Sequence, residues 1–245
     1  MSTAITTPAT RRIASVTLAL VLLVGAVGPA AATADSGPDN DPVLFVHGFF
    51  DTHDTPWWDL AEHRLVERGY DPGNVHVLDL GSIPGTTVHS PEDYAQVVCD
   101  RVQEIAAETG SEVDIVAHSM GGLDSRYCVE KLGGNVHVDD LITLGTPHQG
   151  TYAAYLAYLT PGGYDMVPGS DFLTDLNDGT LAKGVEYTAI WSDSDEIINP
   201  DEYAKLPADS MDSVAEARNI NRHWELHLQL AWDEDVFEVW YQYLD

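Results

Sequence analysis

Lysine is nearly missing from this chain: only Lys131, Lys183 and Lys205 occur in 245 residues. All basic side chains together number 11 against 40 acidic ones, a formal charge of −29. Such a surface repels polyanions, so nucleic acid and anionic membrane faces are excluded as partners. It is the composition of a protein kept soluble by its acids, brine included. Cysteine is also scarce, with Cys99 and Cys128 alone. No internal repeat or low-complexity array is present, which removes solenoid and fibrous architectures. No apolar run reaches the roughly 20 residues of a membrane-spanning helix.

What is present begins with a targeting pattern. Arg11-Arg12 precede the apolar run from Ile13 to Val27, and Ala32-Thr33-Ala34 supplies small residues in cleavage spacing. Residues 1–34 therefore read as an export signal, by the general or the twin-arginine route. Residues 35–41 (DSGPDND) read as a polar mature tail, and 42–245 as one folded domain. Without the two arginines of 1–34, nine basic residues face 40 acidic ones, net −31. In an exported protein two cysteines invite a disulfide.

The domain alternates apolar strand segments with helical ones. Strands are expected at 42–47, 75–80, 113–117, 138–144, 185–191 and 218–220. Helices are expected at 59–68, 90–109, 121–132 and 236–244. Ser90-Pro91-Glu92-Asp93 is a helix start: a capping serine, proline in the first turn, then acids at the positive end of the dipole. Such alternation gives a mostly parallel sheet with helices on both faces. Two successive crossovers of one hand place helices 90–109 and 121–132 side by side. Cys99 and Cys128, each near the middle of its helix, can then meet.

Ligands of such sheets bind beyond the carboxyl ends of the strands. At one of those ends stands AHSMGG, Ala117 to Gly122. A serine between strand and helix, with small residues two before and two after, is a nucleophile elbow. The first small residue is commonly glycine; Ala117 still fits. Ser119 then needs a histidine to take its proton and a carboxylate to hold that histidine. In chain order the acid follows a later strand, which offers Asp193, Asp195 and Glu196. The histidine comes last, which offers His223 and His227. Position alone does not choose among them.

Several stretches together do. PVLFVHGFF (42–50), VDIVAHSMGGLDSRYCVEKLGG (113–134), LITLGTPHQGT (141–151), MVPGSDFLTDLNDG (166–179), YTAIWSDSDEIINPD (187–201) and LHLQLAWDEDV (226–236) cover most of the domain. In this order they resemble the small secreted bacterial lipases of class 2, in the α/β-hydrolase superfamily. The resemblance implies a minimal α/β-hydrolase fold with no large cap domain. It implies Ser119 as nucleophile, Asp195 as acid and His227 as base. The backbone amides of Phe49 and Met120 would form the oxyanion hole. No cofactor and no catalytic metal are expected, since Asp193 and Asp195 lack the ligand spacing of a calcium loop. The expected substrate is a lipid or other ester met in extracellular space, at a lipid–water interface if it is a triglyceride. No protein partner is implied.

The chain departs from the family pattern at Leu226, where glycine usually precedes the histidine; this keeps His223 as a rival. Asp193 is expected to be solvated. His47 is expected to order its loop, and His118 and His148 to be structural. Trp57 and Trp58 could line an acyl groove or pack the following helix. Residues 151–184, with Tyr152, Tyr155, Leu156, Tyr158 and Leu159, are the stretch long enough for a small lid. The rival functions are esterase, polyester depolymerase or thioesterase chemistry on the same triad. A binding domain without catalysis is disfavoured because all three triad residue types are present.

Overall fold

The computed structural model describes residues 40–81, 85–211 and 217–244. Residues 1–34, expected to be an export signal, and residues 35–39 of the polar tail lie outside the described residues. Six parallel strands form one sheet: β1 (Val43–Val46), β2 (Val75–Val77), β3 (Val113–His118), β4 (Val138–Leu144), β5 (Glu186–Trp191) and β6 (Ala217–Asn221). Their spatial order is β2-β1-β3-β4-β5-β6. Chain order reverses between β1 and β3, so a crevice opens beyond the carboxyl ends of those two strands.

The sheet is buried on both faces, and β1 shows why. Its side chains alternate: Val43 and Phe45 join one core, Leu44 and Val46 the other. All four are fully buried, each contributing on the order of 2 kcal/mol. The first core is closed by α1 (Pro56–Glu67), through Trp58, Ala61 and Leu65, and near the C-terminus by Val236, Phe237 and Trp240. The second is closed by α2 (Pro91–Thr109) and α3 (Met120–Lys131), through Ala95, Val98, Val102, Ile105, Cys128 and Val129.

Local signals set most boundaries. Ser90 Oγ accepts from Glu92 N (3.2 Å), Pro91 fills the first helical position, and Gly110 ends α2 at φ +80°. α1 starts at Pro56, three residues earlier than expected, because proline suits the first turn. That places both tryptophans inside the helix. Trp58 packs against Phe45 with ring centroids 5.4 Å apart, and Trp57 packs on the same core. The groove-lining alternative for this pair is thereby corrected.

Four short helices follow: α4 (Pro161–Asp165), α5 (Asp171–Asn177), α6 (Ala208–Met211) and α7 (Gln229–Trp232), before α8 (Glu234–Trp240). α4 and α5, with a 3-10 turn over Tyr152–Ala157, occupy the segment between β4 and β5, and no large cap domain interrupts the fold among the described residues. No helix among them is long and apolar enough to cross a membrane.

Cys99 and Cys128 are bonded, joining α2 to α3 across 29 residues of sequence. A Cβ at Gly134 would come within 2.5 Å of Cys128 Sγ, so only glycine lets the chain pass the bridge there. Replacing both cysteines with alanine should lower unfolding free energy by about 3.5 kcal/mol, the loop-closure value for this separation. Urea unfolding of the double variant checks this; an unchanged midpoint would contradict it.

Candidate active site

Ser119 sits where β3 turns into α3, at φ +56° and ψ −128°, a backbone conformation that L-residues avoid. The strain is held by close packing. A Cβ on Gly48 would lie 2.7 Å from Ser119 Cβ; one on Gly121 would lie 2.6 Å from His47 O; one on Gly122 would lie 2.0 Å from Thr146 Oγ1. Ser119 N donates to Leu144 O at the end of β4 (2.9 Å). The turn is therefore pinned between the loops after β1 and β4. Met120 is the first residue of α3, so its amide is among those with no intrahelical partner.

Of the two candidate acid–histidine pairs, the structure forms both, in very different settings. His227 Nδ1 meets Asp195 Oδ2 at 2.8 Å, with both residues buried. The other oxygen, Oδ1, accepts from Ile197 N and Ile198 N, each at 2.9 Å. His223 Nδ1 meets Asp193 Oδ2 at 2.5 Å, but in solvent and away from Ser119's cleft. That hydrogen bond holds the Asp193 carboxyl below the usual carboxylate range.

Three groups that sequence pattern did not single out for the purpose hold His227. Glu196 Oε2 accepts from His227 N (2.9 Å). His118 Nε2 donates to His227 O (3.1 Å), its ring 4.7 Å from that of His227. Burial, and then the neighbouring His227, push the His118 pKa down to about 3, so it donates as a neutral imidazole. Gly145 is the third: at φ +57°, it passes so close that a Cβ would be 3.2 Å from both Asp195 Oδ2 and His227 Nδ1. A glycine directly after an apolar strand was the available signal for this last contact.

The remaining buried histidines are structural. His47 is fully buried; its Nε2 accepts from Leu80 N (3.2 Å), tying the loop after β1 to that after β2. Burial lowers its pKa. His148 lies between Arg126 Nη1 (3.3 Å) and Thr143 Oγ1 (3.0 Å), and burial followed by the Arg126 charge holds its pKa well down. Arg126 in turn is buried against Glu130 (2.8 Å).

Ser119 and His227 open into one cleft of about 560 Å³. Its walls are mostly apolar. Phe49, Ala154, Leu156, Met166, Ile198 and Leu228 are among them, and much of the lining comes from residues 151–166. Leu156 and Leu159 are 94% and 98% exposed at its rim. Neither Trp57 nor Trp58 reaches it.

A parallel sheet in this order, with a strained serine on the β3–α3 turn, is an α/β-hydrolase. The chain belongs to the lipase (class 2) family, whose model matches residues 40–231. It is 31% identical over 146 residues to a triacylglycerol lipase of Burkholderia plantarii, covering 55% of this chain and 39% of that one. It is 30% identical over 115 residues to a triacylglycerol lipase of Pseudarthrobacter phenanthrenivorans, covering 45% and 34%. The matched region thus spans well under half of these relatives. The fold is similar to that of Bacillus licheniformis lipase BlEst2 in mature form, with TM-score 0.70 and 20% identity over 86% of this chain and 94% of that one.

Gly121 is the contact that the turn tolerates least, because the atom it would strike is backbone. Gly121→Ala should lower unfolding free energy by about 1–3 kcal/mol, the usual cost of overpacking. Denaturant titration measures this, and a variant as stable as the parent would show that the turn has slack.

Proposed function

We propose that the protein is an exported carboxylic ester hydrolase acting on acylglycerols through Ser119, His227 and Asp195. The observation that carries this reading is the buried Asp195–His227 hydrogen bond at 2.8 Å, opening into the cleft that Ser119 lines. Asp195 engages Nδ1, so Nε2 is the nitrogen left for the serine. Proton transfer requires Ser119 Oγ and His227 Nε2 to come within about 3 Å in the substrate complex.

The steps follow from that geometry. Ser119 Oγ attacks the ester carbonyl carbon while His227 takes its proton. The carbonyl oxygen becomes an oxyanion, held by the amides of Met120 and Phe49. Asp195 stabilises the imidazolium, and its own charge is fixed by the amides of Ile197 and Ile198. His227 then hands the proton to the leaving alkoxide, and the alcohol departs. Water, deprotonated by the same imidazole, attacks the acyl-serine; the bond to Ser119 Oγ breaks, His227 returns the proton to that oxygen, and the carboxylic acid departs. Each oxyanion donor is worth about 3 kcal/mol in such sites.

The apolar cleft supports a fatty acyl group over a short polar one, since it offers area rather than hydrogen bonds. Export is supported by the Arg11-Arg12 and Ile13–Val27 pattern and by the disulfide, which persists in oxidising compartments.

Ser119→Ala and His227→Ala should each reduce ester hydrolysis by about 10⁶-fold. His223→Ala should leave it within a few-fold of the parent. Initial rates on a chromogenic ester, with fluorophosphonate labelling of the protein, make the test. A parental rate in His227→Ala, with loss in His223→Ala, would transfer the role to the exposed pair.

Acyl preference tests the substrate class separately. Ala154 is buried in the cleft wall, so Ala154→Phe should fill it and shift the optimum towards shorter chains. Rates across an ester chain-length series and on triglyceride emulsion measure this. A parent enzyme that prefers soluble short esters, polyesters or thioesters would replace the lipase reading and keep the triad.

A further inference from the structure

The end of the sheet opposite Ser119 gathers three carboxylates. Asp41 lies just before β1, Asp114 is the second residue of β3 and Asp139 the second of β4. One carboxylate oxygen from each lies within 4.8 Å of the others. They converge for a definite reason. Val113 pairs with Val138 and Ile115 with Leu141, so Asp114 alone faces two residues of β4, Asp139 and Asp140. A bulge of this kind re-aims side chains, and it is rare between parallel strands. Asp114 N also donates to Pro42 O (2.9 Å), which fixes Asp41 beside it.

Asp114 is the unusual member. It is fully buried, and among the described residues neither Oδ has a hydrogen-bond partner within 3.5 Å. The charges acting on it most strongly, from Asp140, Asp41 and Asp139, share its sign. Burial first, and those carboxylates second, hold its pKa well above the usual range, and the backbone amide of Asp140 offsets them only weakly. Tyr70, buried on the same side, feels the same cluster: burial and then the Asp114 charge raise its pKa. A buried carboxyl without a partner is costly unless a proton or a cation compensates it. Two flanking carboxylates that reach solvent favour the cation.

We propose that Asp41, Asp114 and Asp139 form a binding site for a divalent cation of the calcium type, clamping the entry of the domain to β3 and β4. Calcium takes oxygen ligands at about 2.3–2.6 Å, so ligands on opposite sides of the ion stand up to about 5 Å apart, which this cluster spans. The outer carboxylates are half-buried, leaving room for water in the remaining coordination positions. The site is about 16 Å from Ser119 along β3, five residues at about 3.3 Å each. Its role is structural: it neutralises charge where the first strand begins.

Thermal unfolding at neutral pH tests this, in about 0.5 M NaCl to screen the general surface charge. Calcium at a few millimolar, against EDTA, should raise the parent's Tm by about 5 °C. Asp114→Asn and Asp139→Asn should each abolish that rise, while Asp178→Asn, an exposed acid elsewhere, should keep it. Titration calorimetry with CaCl₂ should find one site per chain in the parent and none in Asp139→Asn, which decides the matter should Asp114→Asn not fold. A parent Tm identical in calcium and EDTA overturns the proposal, as does a calcium shift of parental size in Asp139→Asn.

Discussion

The β3–α3 turn governs the architecture around it. Ser119 can hold φ +56° only while three backbones stay closer than ordinary side chains permit. Gly48 brings the loop after β1 against the serine itself. Gly121 brings α3 against His47 O, and Gly122 brings it against Thr146. The carboxyl ends of β1, β3 and β4 are thereby locked together. The amide at Met120, the loop carrying Phe49 and the rim carrying Thr146 are all fixed by the same contacts. A strained residue persists only where its surroundings over-determine it, and here they do so from three sides.

From that fixed point the histidine arm is built outward. Asp195 follows β5, and His227 arrives after β6. The ring is oriented by Asp195, and its backbone is held by Glu196 at N and by His118 at O. His118 belongs to β3, one residue before the serine, so Ser119 and His227 share a brace. Its neutrality matters: a charged imidazole 4.7 Å from His227 would oppose the positive charge that His227 gains in the proposed proton transfer. Burial makes His118 a hydrogen-bond donor without charge.

The elbow was legible because apolar run, serine and glycines are contiguous, and strand and helix boundaries around it fell within a few residues. The disulfide was legible because parallel crossovers of one hand leave α2 and α3 adjacent. The choice of Asp195 and His227 over Asp193 and His223 was not legible from position. Both pairs form, and burial against the cleft is a tertiary property. Trp57 and Trp58 were ambiguous for a related reason, since one proline decides whether they begin a helix or end a loop. The helices within 151–184 escaped because each is too short to show a periodicity. The bulge in β4 left no trace at all, since two adjacent aspartates in a strand read as an ordinary solvated pair.

Two buried aspartates mark the two ends of the sheet, and their contrast separates two kinds of site. Asp195 has every demand met within the chain: two amides on one oxygen, an imidazole on the other. Its two oxygens are thereby held in one orientation against His227. Asp114 is as deeply buried, yet neither carboxyl oxygen has a hydrogen-bond partner among the described residues, and the nearest charges repel it. In a protein with 40 acids and 11 bases, side-chain cations are too few to neutralise every such position. Composition and structure meet there: where the chain does not supply the countercharge, the solution must.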